Sequence, residues 1–292
     1  MIPAAFEYES PRTLGEALAL LASRPDAKLL AGGHSLLPAM KLRVAAPATL
    51  IDLGRIAGLS YVRDAGRHIT IGAMTTHAEI AGCYLLHAAS PLLAETASHI
   101  GDVQVRNRGT IGGSLAHADH AADYPAAILA LDAEMVARSE RGERVIPARK
   151  FFTGLLATAL RPNEILTEIR IPKTGGTTGG KAEGAGTSYK KFHHPASGFA
   201  VVGVAAVVKL RGEKIASARV GITGVGLRAY RAAAVEAALR GKPLSAIADA
   251  AEKAAGKIEA LGDSYASAEY RRHLAAVFTR RALQAAAKAA GK

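Results

Sequence analysis

The sequence holds one cysteine, Cys83, no tryptophan, and only 5% aromatic residues in 292 positions. A lone thiol excludes an internal disulfide framework, a four-cysteine zinc site and any iron-sulfur cluster held by this chain alone. No uninterrupted apolar run approaches the roughly 18 residues needed to cross a bilayer, and Met1 to Arg12 has no basic stretch followed by an apolar one, as a secretory signal would. The expectation is a cytoplasmic protein without a transmembrane segment. The formal charge of +12 could suit nucleic acid, because Lys and Arg displace counterions from phosphate. The basic residues are scattered, however, and are not interleaved with aromatic rings that could stack on bases. A dianionic cofactor or an acidic partner suits such a surface better than nucleic acid does.

What the chain has in quantity is apolar surface, 49% of residues, enough for one large core or two, and two domains are expected. Thr13 and Glu16 form a T-x-x-E capping box, and Leu14, Leu18 and Leu21 share one face, which predicts a helix over 14–23. Thr76 and Glu79 repeat the signal. Strands are expected at 28–31, 48–52, 68–71, 134–137, 145–147 and 165–171, and helices at 91–98 and 123–131, with 101–108 an irregular connection. Six glycines between Lys173 and Ser188 mark a linker. Beyond it, 200–210 and 218–223 read as strands, and 229–239, 244–255 and 268–288 as Ala-rich helices.

Two segments carry a possible chemistry. Lys28-Leu29-Leu30-Ala31-Gly32-Gly33-His34-Ser35-Leu36 runs from a strand into two glycines and a hydroxyl, and Thr110-Ile111-Gly112-Gly113-Ser114 repeats the pattern. Glycines admit a phosphate to the backbone, whose N-H groups can converge on it. Each segment alone is equally an ordinary tight turn; the pair could clamp a dinucleotide from two sides. Asp119 and Asp123 lie four residues apart near a helix start, where an acid caps the helix or reaches a sugar hydroxyl.

These loops, with Ile71-Gly72-Ala73-Met74-Thr75-Thr76-His77, Ala116-His117-Ala118-Asp119, Glu164-Ile165-Leu166 and Tyr189-Lys190-Lys191-Phe192, resemble the FAD-binding medium subunits of molybdenum hydroxylases. The resemblance covers nearly the whole chain. It implies an α+β fold: a two-subdomain FAD-binding domain of the vanillyl-alcohol-oxidase type over 1–175, a glycine-rich linker at 176–187, and a small α+β domain with an antiparallel sheet and helices over 188–292. It implies FAD as cofactor, with Lys28, Leu29, Ala31, Gly32, Gly33, His34, Ser35 and Leu36 in the first pyrophosphate loop and Thr110, Gly112, Gly113 and Ser114 in the second. His117 and Asp123 match positions near the adenosine and ribitol side, and Ile100, Gly101, Ile165, Leu166 and Lys190 positions lining the flavin or its approach. The family pattern usually has Asn where this chain has Ser114. The implied role is electron relay in a heterotrimeric assembly. Substrate is oxidised on a molybdenum-cofactor large subunit, an iron-sulfur small subunit passes the electrons on, and the flavin hands them to an external acceptor; no residue of this chain is assigned a catalytic or metal-ligating role.

Other readings compete. Gly224-Val225-Gly226-Leu227-Arg228-Ala229 fits the G-x-G-x-x-A fingerprint of a nicotinamide site, with Asp249 about twenty residues on, yet no second parallel strand is evident after it. Gly33-His34-Ser35 lacks the second glycine of a hydrolase elbow, since Leu37 stands there. His117, Asp119, His120 and Asp123 could gather around a metal, without a recognised catalytic-zinc motif. A flavin-free assembly subunit is the remaining alternative.

Overall fold

The computed structural model describes residues 1–174 and 185–291, and the backbone of 177–178 and 181–182. Three strands, β1 (Glu7–Glu9), β2 (Ala27–Leu30) and β3 (Thr49–Asp52), form a parallel sheet in the order β1-β3-β2. Parallel neighbours need crossovers, supplied by α1 (Leu14–Ser23) and, before β3, α2 (Leu36–Lys41). Thr13 Oγ1 accepts the Glu16 N-H at 3.2 Å, and the Glu16 carboxylate accepts the Arg12 N-H at 2.8 Å. Ala17, Leu18 and Leu21 of α1 are buried with Ile51.

The second subdomain begins with β4 (Val62–Ala65) and β5 (His68–Gly72). Helices follow: α3 (His77–Gly82), α4 (Tyr84–Ala89), α5 (Pro91–Ser98), α6 (Val103–Arg108), α7 (Ile111–His117) and α8 (Tyr124–Leu131). Next come β6 (Glu134–Ser139), β7 (Gly142–Pro147), α9 (Ala148–Phe151), the short pair β8 (Phe152–Gly154) and β9 (Ala157–Thr158), and β10 (Ile165–Pro172). The antiparallel sheet runs β4-β5-β10-β6-β7. Its inward residues, among them Ile69, Ile71, Met135 and Ile169, pack on α3, α5 and α8. The expected irregular connection at 101–108 is instead α6: Asp102 accepts the Val105 N-H at 2.8 Å and so supplies an N-cap that the polar composition concealed.

The linker expected at 176–187 lies largely outside the described residues. Of it, β11 (Thr177–Thr178) and β12 (Lys181–Ala182) pair antiparallel. Gly186 and Thr187 are already part of β13 (Gly186–His193), because they pair with Val208 and Val207; Gly186 also lies against the Ala286 carbonyl, where no Cβ fits. The C-terminal sheet continues with β14 (Ala200–Arg211), β15 (Lys214–Thr223) and β16 (Tyr230–Arg231). Helices α10 (Ala233–Leu239), α11 (Ile247–Ala251) and α12 (Ala268–Ala290) cover one face. Two helix predictions shrink here. Tyr230–Arg231 pairs with β15 instead of opening a helix at 229, and 244–246 is a 3-10 turn.

All of β14 from Ala200 to Val208 is buried, as expected of a strand covered on both faces. Ala205 and Val207 join the core that holds α8, whereas Val204, Ala206 and Val208 join the core under α12, with the two-residue period of a strand. All eight residues of α8 are buried, so the first core is common to both halves of the chain.

Candidate functional site

The first diglycine loop leaves the end of β2. Gly33 has φ +78°, a conformation natural to glycine. A Cβ on Gly32 would run into the Arg108 carbonyl and lie 2.7 Å from the Gly109 Cα, so this loop lies directly on the end of α6. Among the described residues no protein acceptor faces the N-H groups of Gly32, Gly33, His34 and Ser35. The loop is half-buried, His34 at its tip is exposed, and His34 Nδ1 lies 3.0 Å from the Gly32 carbonyl. Ser35 opens α2 without a side-chain cap bond, which leaves its hydroxyl available. Leu36 starts the helix. Lys28 is exposed on β2, Leu29 packs into the first-subdomain core, and Ala31 contacts the second loop.

The second segment does not offer the converging free amides expected of it. Thr110 is the N-cap of α7, and the two glycines form its first turn. Their amides are spoken for: Ile111 N-H donates to Thr75 O at 3.1 Å, Gly112 to Ala73 O at 2.8 Å, Gly113 to Thr110 Oγ1 at 3.1 Å and Ser114 to Thr110 O at 3.0 Å. The glycines allow close packing. A Cβ on Gly112 would lie 2.5 Å from the Ala73 Cβ, and one on Gly113 would lie 3.3 Å from the Ala31 Cβ. Gly113 and Ala31 therefore bring the two segments together, but the unpaired donors belong to the first.

Behind them sits His77, which motif reading did not single out. A Cβ on Gly109 would lie 2.5 Å from His77 Nε2, so Gly109 is held between this imidazole and Gly32. The ring meets Tyr124 edge-on at 5.2 Å, and neither His77 Nδ1 nor the Tyr124 hydroxyl has a partner. Burial, helped by the nearby positive charges of His34 and Arg106, lowers the His77 pKa to about 4. The Thr76 capping box placed residue 77 at a helix start; its inward direction had no sequence signal.

Asp123 is 4% exposed and faces the C-terminal sheet. The Tyr189 hydroxyl donates to its Oδ1 at 2.5 Å and Lys191 Nζ to its Oδ2 at 2.9 Å. Burial pushes the carboxyl pKa up, against the pull of Lys191. Both oxygens thus accept a hydrogen bond from within the protein. Lys191 also donates to the His99 carbonyl at 3.0 Å, and Arg106 holds the Ile100 and Gly101 carbonyls at 3.0 Å each, which fixes the turn at Gly101, where φ is +49°. Lys190, on the opposite side of β13, is half-buried and lies 3.7 Å from Glu95. The lysine that reaches the interior is its neighbour. Strand alternation decides this, and β13 was not among the expected strands.

Ile165 and Leu166 are buried in different cores, on either side of the start of β10. His117 is half-buried in the last turn of α7, which Ala118 ends at φ +53°. Of the four residues considered for a metal, His120 Nδ1 lies 3.6 Å from Asp119 Oδ1, but Asp123 is turned toward Tyr189, and among the described residues no three such side chains gather. The G-x-G-x-x-A segment joins β15 to β16, an antiparallel pair, and Gly224 N-H donates to His120 O at 2.7 Å. No strand-helix-strand unit surrounds it.

Four N-H groups without a protein acceptor and a free hydroxyl on a half-buried loop fit the pyrophosphate of a dinucleotide. Comparison with known proteins points to the same group. Residues 4–174 match the family described as the FAD binding domain in molybdopterin dehydrogenase, and residues 187–286 the CO dehydrogenase flavoprotein C-terminal domain. The chain is 41% identical over 289 residues to the carbon monoxide dehydrogenase medium chain of Hydrogenophaga pseudoflava, covering 98% of each. It is 35% identical to the nicotine 6-hydroxylase medium subunit of Paenarthrobacter nicotinovorans, covering 96% of each. Among solved structures it superposes on a chain of carbon monoxide dehydrogenase from Hydrogenophaga pseudoflava with TM-score 0.93 and 43% identity, covering 99% of each, and on one of quinoline 2-oxidoreductase from Pseudomonas putida 86 with TM-score 0.92 and 32% identity, covering 100% of each.

Proposed function

Because this chain belongs to the FAD-binding medium subunits of the molybdenum hydroxylases, we propose that it relays electrons from an iron-sulfur subunit to an external acceptor, beside a molybdenum-cofactor large subunit. The designation of its relatives as medium chains and medium subunits supports the existence of such partners. The single cysteine supports the division of labour, since any iron-sulfur cluster must come from another chain. A cytoplasmic place of work belongs to the same reading. Among the described residues no helix is long and apolar enough to cross a membrane.

When bound, FAD supplies the redox chemistry, accepting and releasing the electrons. The chain's own residues bind and orient it. In this reading the N-H groups of Gly32, Gly33, His34 and Ser35 hold the pyrophosphate, and the Ser35 hydroxyl adds a donor. Gly112 and Gly113, with Thr110 as cap, form the wall that backs this loop, and Ser114 follows them in α7. Arg106 and Lys191 hold the 99–101 turn in place, and Asp123 neutralises Lys191 inside the protein. Lys28, Leu29, Ala31 and Leu36 shape the loop's ends. His117, Ile165, Leu166 and Lys190 remain candidate contacts by resemblance alone.

The observation that carries this reading is the set of unpaired amides in the first diglycine loop. Ser35→Asp tests it, because aspartate is a good helix N-cap and should leave α2 intact while setting a negative charge against the pyrophosphate. The full-length variant should keep wild-type circular dichroism and melting temperature yet bind FAD at least about tenfold more weakly, a loss of about 1.4 kcal/mol or more. Undiminished FAD affinity would refute the loop assignment. A wild-type chain that stays colourless on reconstitution with FAD would favour the flavin-free assembly subunit.

A further inference from the structure

Gly109 has the first diglycine loop on one side and the buried His77 ring on the other. A short antiparallel bridge fixes this arrangement: His77 N-H donates to Gly109 O at 3.0 Å and Ile111 N-H to Thr75 O at 3.1 Å. A Cβ on Gly109 would lie 2.5 Å from His77 Nε2, and one on Gly32 would lie 2.7 Å from the Gly109 Cα. With carbon–carbon bonds of about 1.5 Å, His77 Nε2 therefore lies no more than about 8 Å from the Gly32 Cα. Among the described residues, the charged groups on the elements packed around this ring are positive or engaged elsewhere. Arg106 of α6 and His34 of the first loop act on it as positive charges. Asp102 of α6 caps Val105 at 2.8 Å, and Arg108 is exposed. On α5, Glu95 accepts the Tyr189 N-H at 2.9 Å and the His99 ring meets Tyr189. On α8, Asp123 is bonded to Tyr189 and Lys191, and Tyr124 meets the imidazole with its hydroxyl unpartnered. Glu79, on the same helix as His77, accepts the Thr76 N-H at 2.7 Å.

We propose that His77 is a positioning residue that takes up a proton when FAD binds, so that an imidazolium behind the first loop opposes the dianion in front of it. The inference rests on the assignment of that loop to the pyrophosphate. In the free protein, burial together with Arg106 and His34 keeps the ring neutral, with a pKa of about 4. The residue is already only 4% exposed, so a bound dinucleotide strips little further water from it. Two negative charges at this range, acting through protein and not through water, attract the protonated form. Attraction outweighs the small added desolvation, and the pKa rises on binding. The unpartnered atoms agree with this: a protonated ring has an N-H at each nitrogen, and the Tyr124 hydroxyl on the adjoining ring is a free acceptor. Because the bound state has the higher pKa, uptake belongs to acid pH and disappears where the ring is neutral in both states.

Isothermal titration calorimetry of FAD into the deflavinated full-length chain, in buffers of differing ionisation enthalpy, counts the protons. At about pH 5.5 the wild type should take up about half a proton per FAD more than His77→Gln, and the difference should vanish at about pH 8. His34→Gln should keep the uptake, because an ordinary exposed imidazole is largely protonated at about pH 5.5 with or without a ligand. Circular dichroism at the same pH checks that each chain is folded. Nitrogen-15 NMR of histidine-labelled wild type needs no substitution: FAD added at about pH 5.5 should move one imidazole from the neutral form toward imidazolium. Equal uptake in wild type and His77→Gln, loss of uptake in His34→Gln, or ring nitrogens unchanged by FAD would overturn the proposal. FAD that binds without proton uptake defeats this inference alone, whereas flavin fluorescence that stays unquenched in the wild type defeats the loop assignment and this inference with it.

Discussion

His77 is where a single side chain most clearly leaves its own mark on the stability of the fold. It is 4% exposed and its pKa lies near 4, below the ordinary 6.5, chiefly because burial penalises the imidazolium. In the unfolded chain the same imidazole binds a proton as pH drops through about 6.5. Between those values the unfolded state holds the extra proton, so acidification through this window removes stability and the loss levels off below the folded pKa. From about pH 7 to about pH 5 the contribution amounts to roughly 2 kcal/mol at 1.36 kcal/mol per unit. Urea unfolding of wild type and His77→Gln at both pH values should show the variant less pH-dependent by that amount. Parallel curves would mean that the ring is not buried in its neutral form.

At the scale of elements, the contact between the two diglycine segments decides which glycines matter and why. Gly112 and Gly32 meet protein backbone or a fixed Cβ, whereas Gly33 faces mainly the flexible end of Leu37. Gly112→Ala should therefore destabilise the FAD-free protein by about 3 kcal/mol through overpacking. Gly33→Ala should cost only about 1 to 2 kcal/mol, the penalty of a Cβ at positive φ. Thermal or urea denaturation of the apoprotein separates the two, and equal losses would show that the packing role of Gly112 is wrong. The same contact shows how much of the site was legible in the sequence. Both glycine pairs, Thr110 and Ser35 stood out because backbone approach and capping demand those residue types at those spacings. That one segment is a helical turn with its amides consumed did not, because Ala73 and Thr75, which accept those bonds, come from a distant part of the chain. Helix α6 was hidden for a similar reason: none of its residues is buried, so no apolar period announced it. Strands β5, β6 and β10 were readable from their β-branched or apolar runs, while β13, polar and glycine-led, was not.

For the whole molecule the question is whether the two halves are separable, and the packing says that they are not. One core contains Ile69 and Leu129 from the first half and Tyr189, Ala205 and Val207 from the second. Gly221 of β15 is pressed against the Ala126 carbonyl of α8, closer than any side chain would allow. Across this boundary runs the buried Asp123–Lys191 pair, with side chains 5% and 3% exposed. Removing one member of such a pair leaves an uncompensated charge in a site of low dielectric, typically a loss of about 3 kcal/mol or more, whereas removing both is far milder. Lys191→Met should thus be strongly destabilising and Asp123→Asn with Lys191→Met substantially restored, with the Tyr189 hydroxyl still bonded to the amide. In a double-mutant cycle on the full-length chain, the two changes should couple by at least about 1 kcal/mol. Additive losses would mean that the boundary is held by apolar packing alone. The turn at 99–101, tied to Lys191 through the His99 carbonyl, would then owe its position to Arg106.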